Sequence, residues 1–118
     1  MAFSYSDLFY TDRRGTLNVR AKVTLLPEPR NARRSDAEVH WRPNHNFGPA
    51  DGRDFYIGQV EFEGTATLQP GETCTARIEF LDGPGLSEIL TPGRSWRIQE
   101  GPTLVATAAV IEVMAEAQ

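Results

Sequence analysis

From Leu17 to Leu25 the chain alternates without a fault. Leu17, Val19, Ala21, Val23 and Leu25 interleave with Asn18, Arg20, Lys22 and Thr24. Side chains of a strand point to opposite faces in turn, so this spelling predicts an antiparallel strand with one face in a core and the other in water. A second alternation follows Pro70-Gly71: Cys74, Ala76, Ile78 and Phe80 on one side, Thr73, Thr75, Arg77 and Glu79 on the other. It predicts a buried, inert thiol at Cys74. After Gly101-Pro102, residues Leu104 to Val113 are apolar almost throughout, which predicts a strand covered on both faces.

The remaining segments read as short strands between turns. Glu38 to Arg42 predicts a strand with Val39 and Trp41 on one side. Phe55 to Phe62 predicts another, with a bulge at Gly58, and Ser95 to Gln99 a third around Trp96 and Ile98. Arg30 to Asp36 and Pro43 to Gly52 read as polar loops, and Asp82 to Gly93 as a loop with one helical turn at Leu86–Leu90. Six strands and no long helix in 118 residues predict an all-β chain forming one domain over 1–118. A closed six-stranded antiparallel β-barrel is preferred to a sandwich, because closure leaves no strand edge to protect. Residues 1–15 carry Phe3, Tyr5, Leu8, Phe9 and Tyr10 without periodicity and are expected as an N-terminal arm or extra strand.

No apolar run approaches the ~18–20 residues of a membrane helix, and the first residues lack the basic and apolar regions of a signal peptide. With a single cysteine, the expected location is cytoplasmic. Charge is uneven: residues 1–58 hold nine Lys/Arg against seven Asp/Glu, and residues 59–118 hold three against nine. A net charge of −4 argues against a protein held on nucleic acid by charge alone.

Several segments in order resemble the C-terminal barrel domain of elongation factor Tu. Leu17–Leu25 stands where the family has a first strand such as FESEVYIL. Trp41-Arg42-Pro43-Asn44-His45-Asn46-Phe47 stands for its GYRPQFYF segment. After a longer loop, Asp54 to Gly58 stands for TTDVTG. Pro70-Gly71-Glu72 matches its turn before a strand, and Gln99-Glu100-Gly101-Pro102 with Val105 to Val113 matches its closing REGG(R)TVGAGVVAKV. The resemblance spans about five sixths of the chain, from Gly15 to Met114. It implies a six-stranded antiparallel barrel, and a contact with the T-stem of aminoacyl-tRNA through the segments matched by Arg42, Asn44, Glu100 and Gly101. Departures weaken that contact: the family Gln is Asn44 here, and Gly-Arg-Thr is Pro102-Thr103-Leu104, which removes a phosphate-binding Arg. The GTPase domain and second barrel have no counterpart, and without GxxxxGK[ST] no nucleotide is expected.

Other constellations are sparse. His40 and His45 flank Trp41-Arg42-Pro43 and read as surface residues of a polar loop; a metal site needs a third ligand, and Asp36 or Asp51 would have to be brought there by the fold. No serine has a nucleophile's surroundings. Arg30, Arg33, Arg34, Arg42 and Arg53 predict either a solvated loop or a converging anion patch. Trp41, Trp96 and Phe47 are expected in the core. The expectation is a non-catalytic binding module without metal or cofactor. A protein partner is favoured, engaged through Arg33, Arg34, Arg42, Asn44, His45, Phe47, Glu100 and Gly101. The alternatives are a tRNA-binding translation protein and a small enzyme using His40 or His45.

Overall fold

The computed structural model describes residues 15–114. The expectation for residues 1–15 falls outside these, apart from Gly15. Six strands close a barrel: β1 (Thr16–Leu25), β3 (Asn44–Asn46), β4 (Tyr56–Phe62), β6 (Thr73–Leu81), β7 (Ser95–Glu100) and β8 (Thr103–Met114). Two further two-residue strands, β2 (Arg33–Arg34) and β5 (Thr67–Leu68), pair with each other outside it, and one short helix, α1 (Leu86–Ile89), joins β6 to β7. Around the barrel the order is β1, β6, β4, β3, β7, β8, and every pair is antiparallel.

β1 is the member whose alternation was cleanest, and it is paired along its length on both sides. Val19 faces Ile78, Ala21 faces Ala76 and Val23 faces Cys74 on β6, while Ala21 faces Val110 and Val23 faces Ala108 on β8. Val19, Ala21, Val23 and Leu25 are all fully buried. They meet Val60, Phe62, Ile78, Phe80, Trp96, Ile98 and Val110 in one core. Small residues (Ala21, Ala76, Ala106, Ala108) leave room for Phe62, Phe80 and Trp96, the mixture that fills a narrow barrel. Leu86 of α1 and Leu90 after it are buried in the same cluster.

Four expectations are corrected. Glu38 to Arg42 is not a strand: Asp36 caps a bend there, accepting from the Glu38 and Val39 amides at 2.8 and 2.9 Å, and only Trp41 forms a bridge, to Val60. The strand lies instead at Asn44–Asn46, in what reads as a loop. β8 is covered on one face alone; Leu104, Ile111 and Val113 are 37%, 44% and 48% exposed. The outer wall of a closed barrel faces solvent, and a register shift opposite Arg20 and Ala21 leaves Ile111 without a partner on β1. Gly58 is not a bulge, since pairing with β6 runs unbroken from Gly58 opposite Phe80 to Phe62 opposite Ala76. Cys74 holds the expected register but is half-buried, as it lies one residue from the exposed start of β6. Burial, then the charges of Glu63 and Glu72, raises its thiol pKa.

Candidate functional site

Pairing of β3 with β7 sets Asn44 opposite Gln99, His45 opposite Ile98 and Asn46 opposite Arg97. It thereby brings the Arg42–Phe47 segment beside the β7–β8 turn, two regions more than fifty positions apart. That turn is the two-residue link Gly101-Pro102 between Glu100 and Thr103. Gly101 has φ 57°, and a β-hairpin of this kind needs a residue tolerant of positive φ at the first linking position. Its place in the sequence is therefore explained by the turn.

The candidate residues separate into three groups. In the first, Glu100 accepts from Arg33 through both carboxylate oxygens at 2.8 Å, and from Trp41 Nε1 at 2.8 Å. The Arg33 guanidinium also lies over the Trp41 ring, 5.9 Å from its centroid. Partial burial pushes the Glu100 carboxyl up, but the bonds from Arg33 and Trp41 and the charge of Arg33 outweigh it and hold the pKa below its ordinary value. This fork ties the β2–β5 ribbon to the barrel.

In the second group the arginines serve near neighbours. Arg34 Nε donates to Asp36 at 2.5 Å, with its Nη2 3.7 Å from Glu38. The backbone bonds from Val39 and Glu38, with that of Arg34, hold Asp36 down to about 2. Arg42 Nε donates to Gln59 at 2.8 Å. Arg33 and Arg34 are thus paired with carboxylates, and of the two readings of the arginines the converging anion patch loses two members.

The third group is inside. His45 was expected on the surface and is fully buried. Its Nδ1 accepts from Trp96 Nε1 at 2.9 Å, and its Nε2 donates to the Gly58 carbonyl at 3.0 Å. An indole N–H only donates and a carbonyl only accepts, so these partners fix a neutral ring with the proton on Nε2. Phe80 meets the ring edge-on at 4.7 Å. Burial drives its pKa down to about 4, against a smaller opposing effect of the Gly58 bond. Phe47 is half-buried and stacks on Trp96 at 4.9 Å. Gly58 is glycine because a Cβ there would stand 2.8 Å from His45 Nε2 and 3.0 Å from Phe80.

From β3 hangs the loop 47–55, and its attachments were not visible in the sequence. Asn46 Nδ2 donates to Gln99 Oε1 at 2.8 Å and to the Pro49 carbonyl at 2.9 Å, and its Oδ1 accepts from the Gly48 amide. Arg94 donates to the Phe47 carbonyl and Arg97 to that of Gly48, at 2.9 and 3.0 Å. Between this loop and the β7–β8 turn opens a cleft of about 570 Å³, lined by Asp51, Gly52, Arg53, Phe55, Gln99 and Pro102. Asp51 and Arg53 are exposed, and Leu104, opposite Gln99, is an exposed apolar residue of the same hairpin. Among the described residues no group of three His, Cys, Asp or Glu is placed to hold a metal ion, and no helix is long and apolar enough to cross a membrane. Compared with known proteins, the chain matches no family model and no curated sequence.

Proposed function

We propose that this chain is a non-catalytic binding module that takes a protein partner on the face made by loop 47–55 and the Gly101-Pro102 turn. The cleft carries this reading: it joins apolar walls at Phe55 and Pro102 to the exposed charges of Asp51 and Arg53. That mixture of an apolar centre and a charged margin suits a protein surface. A barrel without open edges supports it, since it offers a rigid frame from which loops are presented. The sequence resemblance to a freestanding elongation factor Tu C-terminal domain, a binding domain lacking its own chemistry, is consistent with the same role in the cytoplasm. An RNA partner is disfavoured because Arg33 and Arg34 already serve Glu100, Asp36 and Glu38. A His45-dependent reaction is disfavoured because both ring nitrogens are buried and bonded.

Affinity capture from cells, followed by calorimetry with the purified partner, tests the proposal. A protein should be recovered whose binding weakens about tenfold or more with Phe55→Ala or Arg53→Glu, and changes little between low and high salt. Recovery of RNA with a steep salt dependence, retained in Phe55→Ala, would reject it.

A further inference from the structure

β3 is the weakest link of the barrel, and it is held from inside by a titratable group. It has three residues, against seven to twelve for β1, β4, β6 and β8 and six for its neighbour β7. Its single inward side chain between Pro43 and Phe47 is His45, which joins the two strands flanking it: β4 through the Gly58 carbonyl and β7 through the Trp96 indole. The bond from Trp96 requires the neutral ring, whereas Nε2–H donates to the Gly58 carbonyl in either protonation state. A proton added at Nδ1 turns the acceptor into a donor, so the Trp96 N–H and the new N–H oppose each other within a contact of 2.9 Å. The resulting cation would also be fully desolvated.

We propose that His45 is an acid-sensitive latch: its protonation releases β3, and with it loop 47–55, while the rest of the barrel stays paired. The inference rests on the fold and holds whatever partner the loop binds. Among the described residues only the Gly58 carbonyl favours a positive charge on the ring, and by less than burial opposes it. β4 presents Gly58 and the Tyr56 phenol, which donates to the Pro84 carbonyl. β6 presents Phe80, with Glu79 alternating to the outer wall; β7 presents Trp96 and Ile98, with Arg97 turned outward to Gly48. The charged groups on the Phe47 side are Arg94 over its ring, Arg97 on the Gly48 carbonyl, and Asp54 in the pocket shared with Phe47 and Tyr56. Release is local because β1, β6 and β8 bury their own apolar faces, whereas β3 contributes few: its partners besides His45 are Asn44 and Asn46. Relief comes from water reaching the ring once β3 lifts away, which solvates the cation.

Amide hydrogen exchange followed by NMR between pH 7 and pH 4.5 tests this, with protection corrected for the intrinsic rate at each pH. Protection at Asn44–Asn46 and at the facing Arg97–Gln99 should fall about tenfold or more and stay well below that of Val19–Val23 and Ala76–Phe80, which open only with the whole barrel. In His45→Gln, whose amide can accept from Trp96 and donate to Gly58 without titrating, the fall should disappear. Carbon shifts of the His45 ring in the unsubstituted protein give a second reading independent of any variant, with no titration expected above about pH 5. Flat protection at Asn44–Asn46, protection there no lower than across β1 and β6 at pH 4.5, or a ring titrating near 6.5 would each overturn the latch.

Discussion

Gly58 and Trp96 show how much of this barrel is decided by single atoms around His45. A methyl group on residue 58 would have to displace His45 Nε2 or Phe80, both of which are enclosed. Gly58→Ala should cost about 1–3 kcal/mol, the usual penalty of overpacking, read as a lower denaturant midpoint. An unchanged midpoint would mean that the His45 seat is slack. Trp96→Phe keeps most of the ring but leaves Nδ1 a buried acceptor without a donor, so a loss of about 1–3 kcal/mol is expected there too. Cys74 sits in the inward register, half-covered, with its thiolate disfavoured by burial and by Glu63 and Glu72. A thiol reagent should therefore label the native protein several-fold more slowly than the unfolded chain at pH 7–8. Labelling at equal rates would mean that the β6 register opposite Val23 is wrong.

Elements whose partners are apolar were legible in the sequence, and those whose partners are polar were not. β1 and β6 could be read because alternation of Val, Ala, Ile and Phe with charged residues has one strand meaning, and the register Val19 to Ile78 and Val23 to Cys74 follows it. β3 could not, because its inward residue is a histidine satisfied by an indole fifty-one positions away. A signal existed, Pro43, His45 and Phe47 alternating with Asn44 and Asn46, but it is visible only if His is counted as apolar. β8 misled in the opposite sense: its alanines are small enough for either face, so composition alone does not tell the wall from the core. Convergence of the Arg42–Phe47 segment on the β7–β8 turn was implied by resemblance. The cleft was not, because loop 47–55 is fixed by Asn46, Gln99, Arg94 and Arg97 through contacts that no local pattern announces. At this scale Glu100 is the testable joint between the β2–β5 ribbon and the barrel. Glu100→Ala strips a half-buried Trp41 N–H and Arg33 of their acceptor and should cost about 1–2 kcal/mol. Glu100→Gln, which still accepts from Trp41, should lose less. If the two variants are equally stable, the carboxylate contributes nothing through Trp41.

Over the whole molecule these groups titrate in separable windows, and all three make the barrel less stable in acid. His45 is neutral in the fold, with its pKa pushed down from 6.5 to about 4. Between those values the unfolded chain binds a proton that the folded chain does not. Stability is therefore undiminished above pH 6.5 and falls as pH drops towards 4, where the folded ring is protonated as well. A shift of this size corresponds to a few kcal/mol, on the order of 3. Glu100 acts in the same direction but lower, because its carboxyl lies below the ordinary 4.5 and only the unfolded chain takes up its proton near that value. Asp36, held to about 2 on the surface, follows lower still. Chemical denaturation at a series of pH values should thus give a plateau above pH 6.5 and a steady decline below it. His45→Gln should flatten the decline between 6.5 and 4.5, and Glu100→Gln should leave that part untouched. With a sequence pI near 5.1 the chain carries little net charge in the middle of this window, so the titration belongs at low protein concentration. A decline that persists unchanged in His45→Gln would assign the acid sensitivity to the carboxylates and take the histidine out of the account.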